Sequence, residues 1–265
     1  MTYIPISPKE RDAMLSTIGV KSLDDLFDAI PAKHRFPKLD LPKALTEMEA
    51  YQELSDIAQA NENVRGDLIS FLGAGMYNHY IPAAVDHMLR RGEFYTAYTP
   101  YQPEISQGTL QAIFEYQSLM SALTGMDVSN ASHYDGATAT AEAVSLAYAQ
   151  FRGKRKKVVV SPTLHPQYRE VIRTYTQGME LEVAGDDANA NLDTSPNELL
   201  NFVDDNTSLV IVQYPDFFGR VYDYTKLIDA VHAKGSLVCV VANPTALAMY
   251  KTPGSMGADI VVGDG

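Results

Sequence analysis

Apolar and polar positions follow different patterns in the two parts of the chain. From Lys157 onward, short β-branched runs alternate with segments of helical character. Five runs have the composition of buried parallel strands: Lys157–Ser161, Leu181–Ala184, Ser208–Tyr214, Ser236–Val241 and Asp259–Val262. Helices are expected between them, from near Pro166, from a capping box at Ser195–Glu198, and from about Tyr224 to Lys234. This order predicts an α/β layered domain with a mainly parallel sheet, right-handed crossovers and helices on both faces.

The first part of the chain is predicted to be helical. Ser7-Pro8-Lys9-Glu10 has the pattern of a capping box with a proline at the first helical position. A second helix start is expected at Ser22–Asp25, and a helix from about Lys43 to Ala60. We therefore expect a helical N-terminal arm over residues 1–66 and a larger domain over residues 67–265. Because the last strand ends close to the end of the sequence, we expect that domain to be incomplete, truncated at its C-terminus.

Composition excludes several classes of partner. The chain has 265 residues, 46% of them hydrophobic, and a formal net charge of −12. Nucleic acid and anionic membranes need a positive surface, so neither is expected as the main partner. The basic run Lys154–Lys157 is interpreted as a solvated turn before a strand. No signal peptide or membrane-spanning stretch is evident, so we expect a soluble cytoplasmic protein. The single cysteine, Cys239, lies in an apolar run, so we expect its thiol to be buried.

Several common site motifs fail on inspection. Gly73-Ala74-Gly75 could begin a dinucleotide fingerprint, but Asn78 stands where the third glycine is needed. The six histidines are scattered and no cysteine or acid completes a metal-ligand set, so no metal site is expected. No GxSxG motif is present. Dehydrogenase, metalloenzyme and hydrolase functions are accordingly disfavoured.

A loop rich in tyrosine and amide side chains is the densest candidate site. It reads FYTAYTPYQPEISQG, from Phe94 to Gly108. Pro100 and Pro103 restrict its backbone, which lowers the entropy lost when its side chains bind a ligand. Tyrosine hydroxyls and a glutamine amide can bind a small carboxylate while the rings exclude water. An ordinary polar surface loop is the commoner alternative.

A second candidate is the turn from Tyr134 to Glu142, which opens an apolar helix. Backbone amides at such a helix start can cup a phosphate. Spacing alone favours the simpler interpretation, an ordinary threonine N-cap.

Together these segments resemble the P proteins of the glycine cleavage system, the glycine dehydrogenase (decarboxylating) family. The resemblance covers the whole chain and is carried by four segments in order: YIPISPKERDAMLSTIGVKSLDDLFDAIP, FLGAGMYNHYIP, YTPYQPEISQG and YQSLMSALTGMDVSNASHYDGATATAEA. The chain looks like the first subunit, or the N-terminal half, of such a protein. The resemblance implies the pyridoxal-phosphate aminotransferase fold, fold type I. It also implies oxidative decarboxylation of glycine, with transfer of the aminomethyl group to the lipoyl group of H protein.

The resemblance implies only a partial or vestigial cofactor site. Gly136 and Thr138 occupy the place of the phosphate cup, and His165 stands where related chains stack an imidazole on the cofactor ring. The acid that pairs with the pyridine nitrogen is replaced by Val240, two residues before Ala242-Asn243. The Schiff-base lysine would lie beyond Gly265. Pyridoxal phosphate is therefore expected in a second P-protein subunit rather than in this chain.

The tyrosine-rich loop is expected to complete the active site of that partner subunit. Its residues would orient the substrate glycine or fix the loop, and no residue of this chain is assigned a catalytic role: the substrate-binding set is Tyr98, Thr99, Tyr101, Gln102, Glu104, Ser106 and Gln107. A non-catalytic subunit that only stabilises its partner is the main alternative. A self-sufficient pyridoxal-phosphate enzyme acting on another amino acid is disfavoured by Val240.

Overall fold

The chain forms two compact units, Met1–Ser70 and Phe71–Gly265. The computed structural model describes residues 6–64, 66–71, 73, 78–96, 98–187, 189–193 and 195–265. The domain boundary expected between residues 66 and 67 remains a prediction.

The described residues of the first unit form the α-helices α1 (Pro8–Ile18) and α2 (Glu47–Gln59), and short 3-10 helices at Asp24–Phe27 and Ala32–His34. The predicted capping box of α1 is confirmed, because Ser7 accepts from the Glu10 amide and the Glu10 carboxylate accepts from the Ser7 amide. The predicted start of α2 at Lys43 is wrong by four residues. Thr46 and Glu49 form a capping box of their own, and this fixes the first helical residue at Glu47.

The second unit is built on a five-stranded parallel sheet of order β2-β1-β3-β4-β5. All five predicted strands are present, with ends shifted by at most one residue: β1 (Lys157–Val160), β2 (Glu182–Ala184), β3 (Thr207–Tyr214), β4 (Leu237–Ala242) and β5 (Ile260–Val262). The α-helices, in chain order, are α3 (Ala83–Leu89), α4 (Gly92–Tyr95), α5 (Gln107–Thr124), α6 (Gly136–Gln150), α7 (Pro166–Thr176), α8 (Thr225–Ala233), α9 (Pro244–Leu247) and α10 (Pro253–Met256).

Helices cover both faces of the sheet, as the strand pattern predicted. Leu209 and Ile211 of β3 pack with α6 and α7 in one apolar cluster, while the alternate residues Val210 and Val212 pack with α8 in another. Alternate side chains of a strand point to opposite faces. Both faces of β3 are therefore buried, which explains the unbroken apolar run Leu209–Val212 at its centre.

Two details of this unit bear on the sequence-based expectations. Ser195 starts a 3-10 helix, Pro196–Asn201, and its hydroxyl accepts from the Asn197 amide, so the expected α-helical capping box is wrong. Cys239 is fully buried on β4, as expected of a structural thiol.

Over the described residues, no helix is long and apolar enough to cross a membrane, and no three His, Cys, Asp or Glu side chains are grouped to hold a metal ion.

Candidate functional site

The carboxyl ends of β1, β3 and β5 bring several polar side chains to one edge of the sheet. The backbone N–H of His165, on the loop after β1, donates to Gln213 Oε1 near the end of β3 at 2.7 Å. The His165 ring lies 5.1 Å from the Phe217 ring and 5.2 Å from the Tyr168 ring. Loops at this edge form the ligand crevice in parallel α/β sheets.

The N-terminus of α6 is closed by an acid. Asp135 is the N-cap, and its carboxylate accepts from the Thr138 amide at 2.7 Å while Thr138 Oγ1 accepts from the Asp135 amide at 3.2 Å. The threonine cap predicted here is therefore wrong, since the threonine occupies the third helical position. The hydrogen bonds from the Thr138 amide and hydroxyl hold the pKa of Asp135 below its usual value.

A second carboxylate reaches the same helix end from β5. The Gly136 amide donates to Asp264 Oδ1 at 2.7 Å, and the Tyr168 hydroxyl donates to Asp264 Oδ2 at 2.6 Å. Tyr168 in turn lies against His165. The structure thus brings the predicted cofactor residues Gly136 and His165 against Asp264 and Tyr168, while Thr138 is hydrogen-bonded to Asp135.

Sequence reasoning did not single out Tyr168 or Asp264. The available signal was positional: Asp264 directly follows a predicted strand, at the edge where loop residues converge. Tyr168 carried no comparable signal, because it sits in the first turn of α7 and meets Asp264 across 96 positions of sequence.

These residues do not fit a phosphate-bearing pyridine cofactor. A phosphate at this helix end would need the Gly136 and Thr138 amides, and both already donate to carboxylates. The space beside Gly136 is also filled, because a Cβ built there would clash with the Tyr168 hydroxyl and lie 3.0 Å from Asp264 Oδ2. At the acid position, Val240 is fully buried among apolar side chains. Neither ionic contact that such a cofactor needs is offered.

The larger cavity of this unit, about 880 Å³, opens beside the same helix end. Five acids and one histidine, His133, line it, and no lysine or arginine is among the described residues that do: the acids are Asp127, Asp135, Glu142, Asp259 and Asp264. A negative lining disfavours anions. The charge that the described residues give this cavity is therefore unfavourable to a phosphorylated ligand.

A smaller cavity of about 340 Å³ lies beyond β1 and β2. Its one basic lining residue among those described, Arg220, donates to Asp216 Oδ2 at 2.8 Å and to the Leu192 carbonyl at 2.7 Å. Asp216 is fully buried, so the pair anchors the loop after β3. The Arg220 guanidinium therefore bonds to groups of the protein itself rather than to a ligand.

The tyrosine-rich loop is exposed and leads directly into α5. Tyr98 and Tyr101 have 84% and 81% of their surface exposed. A turn holds the loop, with the Tyr101 amide donating to the Thr99 carbonyl at 2.9 Å and the Ser106 amide to the Gln102 carbonyl at 3.1 Å. The predicted set Tyr98, Thr99, Tyr101, Gln102, Glu104, Ser106 and Gln107 lines neither cavity. Some residues of the sequence motifs lie outside the described residues: Leu72 and Ala74–Tyr77 of FLGAGMYNHYIP, and Ala97 of the loop FYTAYTPYQPEISQG.

The parallel-sheet α/β fold is similar to that of the fold type I enzymes, the pyridoxal-phosphate-dependent α/β class. A solved structure described as "SspA in complex with cysteine" matches 68% of this chain and 53% of its own, with a TM-score of 0.55 and 12% identity, which supports the fold alone. A family model described as "Glycine cleavage system P-protein" matches residues 1–265. The chain belongs to that family.

Relatives agree with this assignment. The chain is 50% identical over 265 residues to a "Probable glycine dehydrogenase (decarboxylating) subunit 1" of Thermomicrobium roseum, covering 100% of this chain and 59% of the relative. A protein of the same description from Geobacillus thermodenitrificans is 52% identical over 263 residues, covering 99% and 58%. A crystal structure of "glycine decarboxylase (P-protein) of the glycine cleavage system, in inhibitor-bound form" matches with a TM-score of 0.85 and 40% identity, covering 100% and 58%. The chain thus spans less than two thirds of their length.

Proposed function

We propose that this chain belongs to the first of two subunits of a glycine-decarboxylating P protein, and that it completes an active site carried by the second subunit. The first-subunit names of its relatives support the division of labour. The observation that carries the proposal is the exposed, proline-stiffened loop, where Tyr98, Tyr101 and Ile105 each have more than 80% of their surface in solvent. Clustered large apolar side chains of this kind mark surfaces that a partner covers.

The second subunit is where pyridoxal phosphate belongs in this proposal. Bound there, the cofactor supplies the electron sink for loss of CO2 from glycine. The filled helix end and the buried Val240 of this chain support that assignment. Lipoylated H protein is the proposed acceptor of the aminomethyl group, and the cytoplasm the proposed compartment.

The loop would orient the substrate. The hydroxyls of Tyr98 and Tyr101 and the Gln102 amide are donors that can hold the carboxylate of glycine, and Thr99 lies between the tyrosines. The tyrosine rings would exclude water from the departing CO2. Glu104, Ser106 and Gln107 form the base of the loop, where it enters α5. Holding the glycine carboxylate in one orientation lowers the activation barrier most if the loop is rigid before glycine binds.

The test is glycine-dependent exchange of labelled CO2 by the full-length subunit, mixed with the second subunit, pyridoxal phosphate and lipoylated H protein. We expect activity only in the mixture. Tyr101→Phe and Gln102→Ala each remove one hydrogen bond to a charged group, worth about 1.5–3 kcal/mol, so kcat/KM should fall by roughly tenfold to a hundredfold.

Tyr175→Phe is the matched control, because it removes a hydroxyl from the partly exposed face of α7 outside the loop. Sedimentation of each mixture shows whether the subunits still assemble. Unchanged exchange activity in both loop variants, with assembly intact, would refute the donated loop. Full activity of the second subunit alone would instead establish the alternative, a subunit with only a stabilising role.

A further inference from the structure

The N-terminus of α6 lies beside the ligand crevice, and its first backbone amide donates to a side chain of the protein itself. Gly136 is a buried residue, and a buried amide without an acceptor is costly. Its acceptor is a side chain 128 positions away in the sequence, Asp264. The acceptor is also an anion, which the helix N-terminus favours.

The same carboxylate has a second donor from a different helix. Tyr168, in the first turn of α7, directs its hydroxyl to the other oxygen of Asp264 at 2.6 Å. One carboxylate therefore ties the start of α6, the start of α7 and the end of β5. A helix-bound phosphate is held in a comparable way, by an amide at the helix start and a hydroxyl from a neighbouring element.

We infer that Asp264 is a built-in anion, which occupies the phosphate position of the ancestral cofactor site and excludes phosphate-bearing ligands from this chain. The exclusion has two parts. Asp264 occupies the Gly136 amide, and Asp135 occupies the Thr138 amide, so an incoming phosphate finds neither donor. The two carboxylates also present negative charge to a dianion, and no lysine or arginine is among the described residues lining the adjacent cavity.

This inference does not depend on what the tyrosine-rich loop does. It concerns only whether this chain can hold a phosphate, and a subunit with a stabilising role would carry the same built-in anion. Phosphate binding by this chain would remove one support for placing the cofactor in the second subunit, whereas failure of the donated loop would show only in the CO2 exchange of the loop variants.

The test compares phosphate binding by the full-length subunit and its variants. Inorganic phosphate is the probe because, unlike pyridoxal phosphate, it cannot form imines with surface lysines. Binding is followed by 31P NMR line broadening and by the melting temperature. Wild-type protein should show no saturable binding at millimolar phosphate. Asp264→Ala opens the Gly136 amide and the Tyr168 hydroxyl, so it should bind phosphate at least tenfold more tightly, and phosphate should restore part of the melting temperature that the variant loses.

Asp127→Ala is the matched control, since Asp127 lines the same cavity and its removal lowers the negative charge equally. It should bind phosphate no better than wild type. Asp264→Asn is a second variant in case the alanine variant unfolds. Its amide oxygen can still accept from Gly136, but it removes the charge that stands at the helix end itself, so it should gain less than the alanine variant and more than Asp127→Ala. Saturable phosphate binding by wild-type protein, equal gains in the Asp127 and Asp264 variants, or no gain in either Asp264 variant would overturn the inference.

Discussion

Restoring the missing acid with Val240→Asp should destabilise the chain in a strongly pH-dependent way. Val240 is fully buried at the centre of β4, in register with Val212 of β3 and Val261 of β5. Its cluster is largely aliphatic. A carboxyl group introduced there would be out of contact with water and would have no side chain placed to hydrogen-bond with it.

The magnitude follows from three contributions. Loss of the buried valine side chain costs about 1.5–3 kcal/mol, and an unpaired polar group in its place costs about 1–3 kcal/mol more, even when protonated. Ionisation adds to this, because burial raises the pKa of a carboxyl by roughly 3 units or more and each unit is about 1.4 kcal/mol. A folded-state pKa above the unfolded value of about 3.9 means that the penalty is smallest below pH 4 and grows as the pH rises to the folded-state pKa.

Urea unfolding of the full-length subunit, followed by circular dichroism at pH 4.5 and pH 7.5, measures this effect. Val240→Thr is the reference, since it keeps the valine shape, buries one hydroxyl and does not titrate. We expect the valine-to-aspartate variant to be less stable than the threonine variant by roughly 3 kcal/mol more at pH 7.5 than at pH 4.5. An equal difference at the two pH values would show that position 240 is solvated, and the reasoning from burial would fail.

Two further predictions concern groups outside the site. Burial raises the pKa of the Cys239 thiol, so iodoacetamide should alkylate it only on unfolding; peptide mapping that finds the native protein modified at Cys239 would contradict its burial. Hydrogen bonds from the hydroxyl and amide of Thr225, with help from Lys251, lower the pKa of Asp223 to about 2. Its stabilising contribution, about 0.5 kcal/mol for so exposed a group, is present above pH 4 and lost as the pH falls towards 2. Asp223→Asn should make the free energy of unfolding depend less on pH over that range. Asp229→Asn, on the exposed side of α8, should leave that dependence unchanged.

The sheet was predictable because its strands are buried on both faces. The strand Thr207–Tyr214 contains four consecutive apolar residues, Leu209–Val212, and this departs clearly from the 3.6-residue period of the surrounding helices. Helix ends were less predictable. The expected start at Lys43 followed from Pro42, whereas the actual start depends on two side-chain hydrogen bonds between Thr46 and Glu49.

The site was predictable only in part, for a reason of sequence distance. Gly136 and His165 were placed by the family resemblance, and the rule about strand ends makes their proximity understandable. The contacts that decide the chemistry are non-local: Asp264 meets Gly136 across 128 positions and Tyr168 across 96. Nothing in local spacing identifies the partner of a buried amide. The fold could therefore be predicted in outline, and the occupant of the helix end could not.

The two departures at the cofactor site have complementary chemistry. A pyridine cofactor with a phosphate presents a ring nitrogen that is protonated beside an acid, and a phosphate dianion that is held by amides. This chain has an apolar residue, Val240, where the acid is needed, and an acid, Asp264, where the dianion would bind. Each change removes a different ionic contact, so reversing one leaves the other in place. Val240→Asp alone would still face a filled helix end, and Asp264→Ala alone would open a phosphate site without a ring partner. The two departures therefore lie at separate places in the fold, on β4 and in the segment after β5, and a single substitution is not expected to restore both ionic contacts.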